Sequence, residues 1–311
     1  MSIVCAGGAN VDRKYLLRGA AHAAASNPAR ASAAFGGVAR NVAENLARLG
    51  VPVALLSLVG DDEDGRALIA HGSNAGIDMR LTRRVAGRAT TQYAAVIDAN
   101  ADLLIAVSDM SLLDEFLPEE IERQREWLER AAWLFLDCNL PEAALHAWID
   151  RARHGSFRLA IDAVSEPKIA RLPEDLRGVW VAFLNDGEAR AYVGTHAAVA
   201  TSEDLARALV ARGAANVVLT LGRAGAIVAD DSRLVRLPAP VADALDATGA
   251  GDALVAATLW RLQAGDDLVD AARAGTLAAA LTVESRASVR PDLSAALLEK
   301  HRHRLGAMDR A

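Results

Sequence analysis

The stretch Asp246-Ala247-Thr248-Gly249-Ala250-Gly251-Asp252 carries the residue types and spacing best suited to chemistry, and it runs into the apolar segment Ala253 to Leu262. Two glycines and an alanine let the backbone turn sharply and aim several N–H groups at one point at a helix N-terminus, which favours anions. A carboxylate closes the turn. An anion hole and a carboxylate work together when they handle different atoms. Gly249, Ala250 and Gly251 would take phosphate oxygens, and Asp252 would take a proton from an attacking hydroxyl. That division of labour is phosphoryl transfer. The same pattern also suits an acid placed in a first helical turn for the dipole alone.

Other chemistry-bearing residues fall at the ends of apolar runs. Ile3 to Ala6 reads as a buried strand ending in Gly7-Gly8, with Asn10 and Asp12 just beyond. In an open parallel sheet ligands bind at that end, although both residues also suit an ordinary turn. Gly36-Gly37 opens a helix in which Val38, Val42, Leu46 and Leu49 recur at helical spacing and Gly50 is the stop. Arg40 and Asn41 lie in its first turn, where a ligand can approach the glycine backbone. Asn185 and Glu188 follow the strand Val179 to Leu184, and Thr220, Gly222 and Gly225 lie where Val217 to Ala226 reads as strand, glycine turn and return strand. These glycines suit either a nucleotide's phosphates or a tight hairpin. Lys168 is one of very few lysines in an arginine-rich chain, at what reads as a helix start.

The elements needed to hold these residues follow from the pattern. Val53 to Val59 is expected to be one strand, and Gly60-Asp61-Asp62-Glu63-Asp64-Gly65 to lead into a helix reaching about Asn74. The acidic run lacks the alternating spacing and distal Glu of a calcium loop. Thr90 to Ile97 and Leu103 to Val107 read as a hairpin turning at 98–102, with Ser108 and Asp109 suited to cap the helical segment that follows. With 14–17 and 31–35 they would make a small separate sheet, and 14–35, punctuated by Ser26-Asn27-Pro28, reads as a protruding flap. Helix 118–131, strand 133–136, helix 141–153, strand 159–161 and strand 179–184 then alternate as βα units, giving a doubly wound α/β fold. An alanine-rich helix spans 267–285.

Composition narrows the partners. With 311 residues, 52% hydrophobic, the chain can bury a large core. A net charge of -6 argues against a general nucleic-acid or membrane-surface binder. Cys5 and Cys138 sit in apolar runs, with no second Cys or His at metal spacing, so structural thiols and a cytoplasmic location are expected. No stretch approaches the length needed to span a bilayer. No Walker A pattern occurs, which excludes a P-loop NTPase.

The segment Asp246–Asp252 resembles the D-T-x-G-A-G-D signature of the ribokinase-like (PfkB) carbohydrate and nucleoside kinases, with Ala247 where Thr is commoner. Gly36-Gly37-x-x-x-Asn41, followed by Ala43 and Leu49-Gly50, resembles the family's N-terminal signature. Asn185-x-x-Glu188 and Thr220-x-Gly222-x-x-Gly225 match its N-x-x-E and T-x-G-x-x-G elements. The resemblance covers nearly the whole chain and implies one ribokinase-like domain over 1–311, with a mainly parallel sheet flanked by helices. It also implies a small β-sheet lid, formed by about 13–35 and 88–108, that in many members gives a homodimer contact. It implies that Asp252 is the base and that Gly249, Ala250 and Gly251 form the anion hole. The acceptor would lie on Asn10, Asp12, Gly36, Gly37, Arg40 and Asn41, and ATP on Thr220, Gly222, Gly225 and Thr248. Asn185 and Glu188 would hold Mg2+ through water. Potassium is implied near the Asp246/Thr248 turn and the loop 286–292.

Gly36 to Leu46, with Ser26-Asn27-Pro28 upstream and Val107-Ser108-Asp109-Met110 later, is similar to the members that act on the C-nucleoside pseudouridine. The expected reaction is therefore ATP-dependent phosphorylation of a nucleoside 5′-hydroxyl, with Ser26, Asn27, Ser108 and Lys168 as lid or base contacts. A kinase of a free ribose- or fructose-like sugar, or of another nucleoside, is the alternative. A silent nucleoside-binding protein would be expected to lack Asp252.

Overall fold

The computed structural model describes residues 2–100, 102–194 and 201–306. Ala101, in the expected hairpin turn, lies outside them. In chain order the strands are β1 (Ser2–Ala6), β2 (Asn10–Leu17), β3 (Ala29–Gly36), β4 (Val53–Leu56), β5 (Leu58–Gly60), β6 (Arg83–Val85), β7 (Gln92–Ile97), β8 (Leu103–Asp109), β9 (Ala131–Asp137), β10 (Arg158–Asp162), β11 (Val179–Asn185), β12 (Asn216–Thr220), β13 (Ala226–Asp230) and β14 (Leu234–Leu237). The helices are α1 (Val38–Arg48), α2 (Glu63–Asn74), α3 (Glu120–Arg123), α4 (Arg125–Arg130), α5 (Glu142–Ala152), α6 (Glu166–Ile169), α7 (Asp186–Val193), α8 (Ser202–Ala211), α9 (Ala250–Ala264), α10 (Leu268–Thr282) and α11 (Ala295–His301).

Eight strands form the main sheet in the order β14-β13-β12-β11-β10-β9-β1-β4. Pairing is parallel from β4 to β12, and β13 and β14 close the far edge antiparallel. Strands covered on both faces read as near-continuous apolar runs, as β1 does from Ile3 to Ala6 and β9 from Ala131 to Leu136. Val4, Ala6, Leu134 and Leu136 face a core shared with Trp148 of α5 and Leu205 of α8. Their alternates Ile3, Cys5, Trp133 and Phe135 face Val42 and Leu46 of α1 and Leu254 and Leu259 of α9. Gly275 lets α10 close on α9, since a Cβ there would lie 2.3 Å from the Thr258 hydroxyl. Helix α9, buried almost all round, is thereby fixed with its N-terminus at the C-terminal edge of the sheet. Among the described residues no helix is long and apolar enough to cross a membrane.

A second sheet, in the order β3-β2-β7-β8, grows out of this edge. β2 continues from β1 through Gly7 to Ala9, and β3 delivers the chain to α1. The junction is bonded side by side. Thr91 Oγ1 donates to the Ala9 carbonyl at 2.6 Å, and Asp62, the N-cap of α2, accepts from Thr90 N and Oγ1 at 2.8 and 2.6 Å.

Three elements differ from the sequence expectation. The run 53–59 is broken at Ser57, whose hydroxyl donates to the Gly7 carbonyl at 2.6 Å, and β5 leaves the main sheet to pair with β6. The expected helix 118–131 is two short ones, with Ala131 already paired in β9. Ser108 is a strand residue opposite Tyr93, and Asp109, the last residue of β8, accepts from Ser111 N and Oγ without standing at the cap position, which is Met110.

Candidate active site

The C-terminal ends of β1, β9, β10 and β11 bring the polar strand-end residues to one edge, where the N-termini of α1 and α9 meet them. Gly249, at the N-cap of α9, has φ +81° and a Cβ there would lie 1.8 Å from the Ser288 carbonyl, so only glycine fits. No side chain caps this helix; Ala250 N donates to the Ala247 carbonyl at 3.3 Å, which leaves the first-turn N–H groups of Gly251 and Asp252 to face an incoming anion. Gly251 is exposed with open space around it, and Thr248 is exposed beside it, its N–H donating to Asp246 Oδ1 at 2.9 Å.

Asp252, 9% exposed, accepts from Asn41 Nδ2 at 2.7 Å across 211 residues of chain. Burial pushes its carboxyl up to about 7, with Asp137 and Asp12 pushing the same way, against the Asn41 bond and the Arg40 charge. That value suits a base working near neutrality. Arg40, expected at the ligand, is 3% exposed and turned inward. Its Nε and Nη2 donate to Asn41 Oδ1 at 3.2 and 2.7 Å, and its Nη1 to Glu44 at 2.9 Å.

At the root of the small sheet, Asn10 Nδ2 donates to Asp12 Oδ1 at 2.6 Å, and Gly36 pairs across from Asn10. A Cβ on Gly36 would lie 2.3 Å from Asp12 Oδ2, and one on Gly37, at φ +98°, would lie 2.3 Å from the Gly8 carbonyl. The double glycine is therefore required for the backbone and the Asp12 carboxylate to nest. Burial raises the Asp12 carboxyl, opposed by Asn10, Lys14 and Arg40. Lys14, on β2, reaches within 4.0 Å of Asp246, so the small sheet touches the anion turn.

Asp137 was visible in the sequence only as a polar strand end, and it is the structural centre of the site. Fully buried, its Oδ2 accepts from Gly8 N at 2.9 Å and Ala39 N at 2.8 Å, and its Oδ1 from Asn139 N at 2.9 Å. One carboxylate thus pins the loop after β1 to the first turn of α1. Lys168 Nζ donates to Asn139 Oδ1, and burial holds the ammonium below its usual range. Asp162, ending β10, is driven well upward by burial and then by Asp252 and Glu188. An acid ending an otherwise apolar strand at this edge was the available signal for both.

Asn185 and Glu188 form a capping box on α7: Asn185 Oδ1 accepts from Glu188 N at 2.9 Å and Glu188 Oε2 from Asn185 N at 2.8 Å. Among the described residues Glu188 Oε1 has no hydrogen-bond partner, and burial and Glu166 push the carboxyl up. Thr220 pairs with Asn185 in register at the end of β12, its hydroxyl 3.3 Å from the Leu184 carbonyl. Gly222 and Gly225 shape the β12–β13 turn; Gly225, at φ +96°, packs 1.9 Å (as a Cβ) from the Leu237 carbonyl, so the hairpin needs it. The residues expected to read a base are scattered. Asn27 donates to the His22 and Ala25 carbonyls within its own loop, while Ser26 and Ser108 are exposed. Among the described residues no hydrogen bond links these three to the cluster around Asp252.

A mainly parallel α/β sheet with a second sheet over its C-terminal edge, an uncapped glycine turn and a buried carboxylate in that turn defines a phosphotransferase of small alcohols. A family model described as pfkB family carbohydrate kinase matches residues 1–295, and the chain belongs to that family. It is 32% identical to the pseudouridine kinase of Escherichia coli over 265 residues, 83% of each chain. A solved carbohydrate kinase from Agrobacterium tumefaciens is 30% identical, with a TM-score of 0.85 covering 96% of both chains. The ribokinase of Arabidopsis thaliana, solved with ribose and ATP, shares the fold at a TM-score of 0.86 over 98% of both chains, with 19% identity.

Proposed function

We propose that this kinase transfers the γ-phosphate of ATP to the 5′-hydroxyl of a nucleoside, with pseudouridine as its acceptor and pseudouridine 5′-phosphate and ADP as products. The observation that carries the proposal is Asp252, buried in the uncapped first turn of α9 and bonded to Asn41 beside the Asp12 and Asn10 pair. Asn41 and Asp12 grip ribose hydroxyls, with Asn10, Gly36 and Gly37 shaping their approach. Asp252 takes the 5′-hydroxyl proton as that oxygen attacks phosphorus, and the backbone N–H groups of Gly249 and Gly251 stabilise the transferring charge, the Ala250 N–H being held by the Ala247 carbonyl. Thr220, Gly222, Gly225 and Thr248 line the ATP side. The 32% identity to a pseudouridine kinase supports the acceptor. The small sheet over the sugar acts as the lid, 13–35 with 88–108. Its edge strand β8 exposes Leu103, Leu104, Ile105 and Val107, a surface suited to a homodimer contact. ATP use and the buried free thiols of Cys5 and Cys138 support a cytoplasmic location.

Magnesium fits the donor set as a hydrated ion. Among the described residues no group of three or more acids, His or Cys could hold a metal directly. Glu188 nevertheless offers a carboxylate oxygen without a hydrogen-bond partner among the described residues, at an edge where burial raises the carboxyls of Asp137, Asp162, Glu188 and Asp252. Glu188 and Asn185 would hold the ion through its waters, and the ion would neutralise phosphate charge. Potassium beside the Asp246/Thr248 turn completes the proposal, supported by the Ser288 carbonyl of the 286–292 loop lying against Gly249. The two tasks of Glu188 separate by substitution. Glu188→Gln keeps the capping box and is expected to hold stability within about 0.5 kcal/mol while raising the magnesium needed for half-maximal rate. Glu188→Ala should show the same magnesium effect and lose a further ~1 kcal/mol of stability. An unchanged magnesium titration in Glu188→Gln would confine the residue to the cap.

A free sugar is the second reading, supported by the 30% identity to a carbohydrate kinase. ATP consumption and kcat/KM across pseudouridine, uridine, adenosine, ribose and fructose decide between them. The C-glycosidic link gives pseudouridine a ring N–H that uridine lacks. If a buried acceptor in the closed lid pairs with it, uridine leaves that acceptor unsatisfied at a cost of about 1–3 kcal/mol, so pseudouridine should lead uridine by roughly ten- to a hundredfold, with ribose poorer still. Ribose or fructose outperforming both nucleosides would move the assignment to a sugar kinase.

A further inference from the structure

The groups around Arg40 form a buried chain that the phosphoryl-transfer reading leaves unused. A guanidinium carries only donors, so the amide atom of Asn41 that Arg40 Nε and Nη2 both approach must be oxygen, and the NH2 is thereby turned toward Asp252. Arg40 is itself held by Glu44 Oε2 at 2.9 Å, and that oxygen also lies 3.1 Å from His71 Nε2 of α2. Glu44 Oε1 accepts from Arg48 Nε and Nη2 at 3.0 and 2.6 Å. Burial alone would raise the Glu44 carboxyl, yet Arg40, Arg48 and His71 hold it below its usual range, so it stays charged and balances the buried cation.

We infer that Arg40 is a positioning residue for the transfer reaction: clamped by Glu44, it locks the Asn41 amide and, through it and by its own charge, the ionised carboxylate of Asp252. The need for a lock arises within the reaction cycle. Once Asp252 has taken the proton it becomes a donor, and an unrestrained Asn41 amide could turn its oxygen toward it; Arg40 forbids that flip. The other charged groups facing Asp252 are Asp12 from β2, Asp137 from the end of β9 and Asp162 from the end of β10, all of which oppose its ionisation. Arg40, beside Asn41 on α1, is the cation acting on Asp252 from the packed elements.

The inference rests on Asp252 being the base, so Asp252→Asn is measured alongside. kcat and KM are recorded from pH 5.5 to 9.5 at saturating ATP, with whichever acceptor the wild type uses best, after a thermal melt confirms folding. Arg40→Met is expected to move the acidic limb of kcat/KM to higher pH by about one pH unit, giving roughly a fivefold loss at pH 7 that approaches tenfold below pH 6 and shrinks toward pH 9. Arg40→Lys keeps the charge but loses the two-point grip on Asn41. It should leave the limb in place and raise acceptor KM several-fold with ATP KM unchanged. A loss in Arg40→Met that is equal at every pH would mean a structural role and overturn the inference. So would an unchanged acceptor KM in Arg40→Lys, which decides the matter even if Arg40→Met does not fold. An active Asp252→Asn would instead remove the underlying base assignment.

Discussion

Asp252→Asn is expected to lower kcat by about 10²–10⁴ with ATP affinity nearly unchanged, since the substitution keeps the shape and the Asn41 contact while removing the proton acceptor. The same variant should be more stable than the wild type. The Asp252 carboxyl is raised from 3.8 to about 7, so folding an ionised Asp252 costs stability. The cost is absent below the unfolded value near 4, grows as pH rises between the two values, and is complete above about 7. Asp252→Asn removes it, with a gain on the order of 2–4 kcal/mol at pH 8 that disappears by pH 4. Denaturant melts at the two pH values read the difference, and steady-state kinetics read the rate. A variant both inactive and less stable at pH 8 would mean that Asp252 mainly supports the fold.

Gly249→Ala is the second large effect. An alanine at φ +81° costs about 1–2 kcal/mol, and its Cβ would overlap the Ser288 carbonyl, backbone against backbone, so no side chain can yield. The turn must shift, carrying the N–H groups off their target, and loss of even one such donor typically costs about 10²–10³ in kcat. Gly251→Ala is the matched control. Among the described residues nothing beyond its chain neighbours and its own helix backbone lies within 4 Å of a Cβ there, so the melt should be unchanged. Any loss of rate in Gly251→Ala then reports crowding of the phosphate itself. Wild-type turnover in Gly249→Ala would show that the turn does not carry the anion.

Local chemistry explains what the sequence made legible. The glycine turn before α9 and the double glycine before α1 are each decided by residues within one or two turns, and both stand where their spacing indicates. Tertiary contacts decide what was not legible. Asp137 bonds Gly8 across 129 residues and Ala39 across 98, and nothing near it in sequence announces that task. Arg40 reads as a ligand-facing arginine until α2 and Glu44 close over it. The break at Ser57 is hidden inside a run of apolar residues because its cause is the Gly7 carbonyl, in the loop after β1. Asn185 and Glu188 carry two overlapping signals, since asparagine and glutamate at this spacing also cap a helix.

The central claim is that Asp252 accepts a proton from the acceptor hydroxyl while the α9 turn holds the phosphate. Its most direct test is the pH dependence of kcat/KM for the acceptor at saturating ATP and magnesium. A base with its carboxyl near 7 must be ionised to act, so the rate should rise tenfold per pH unit below about 6, bend near 7 and level off by about 8.5. A profile that stays flat from pH 5 to 9, while the enzyme remains folded and saturated with ATP, would contradict it.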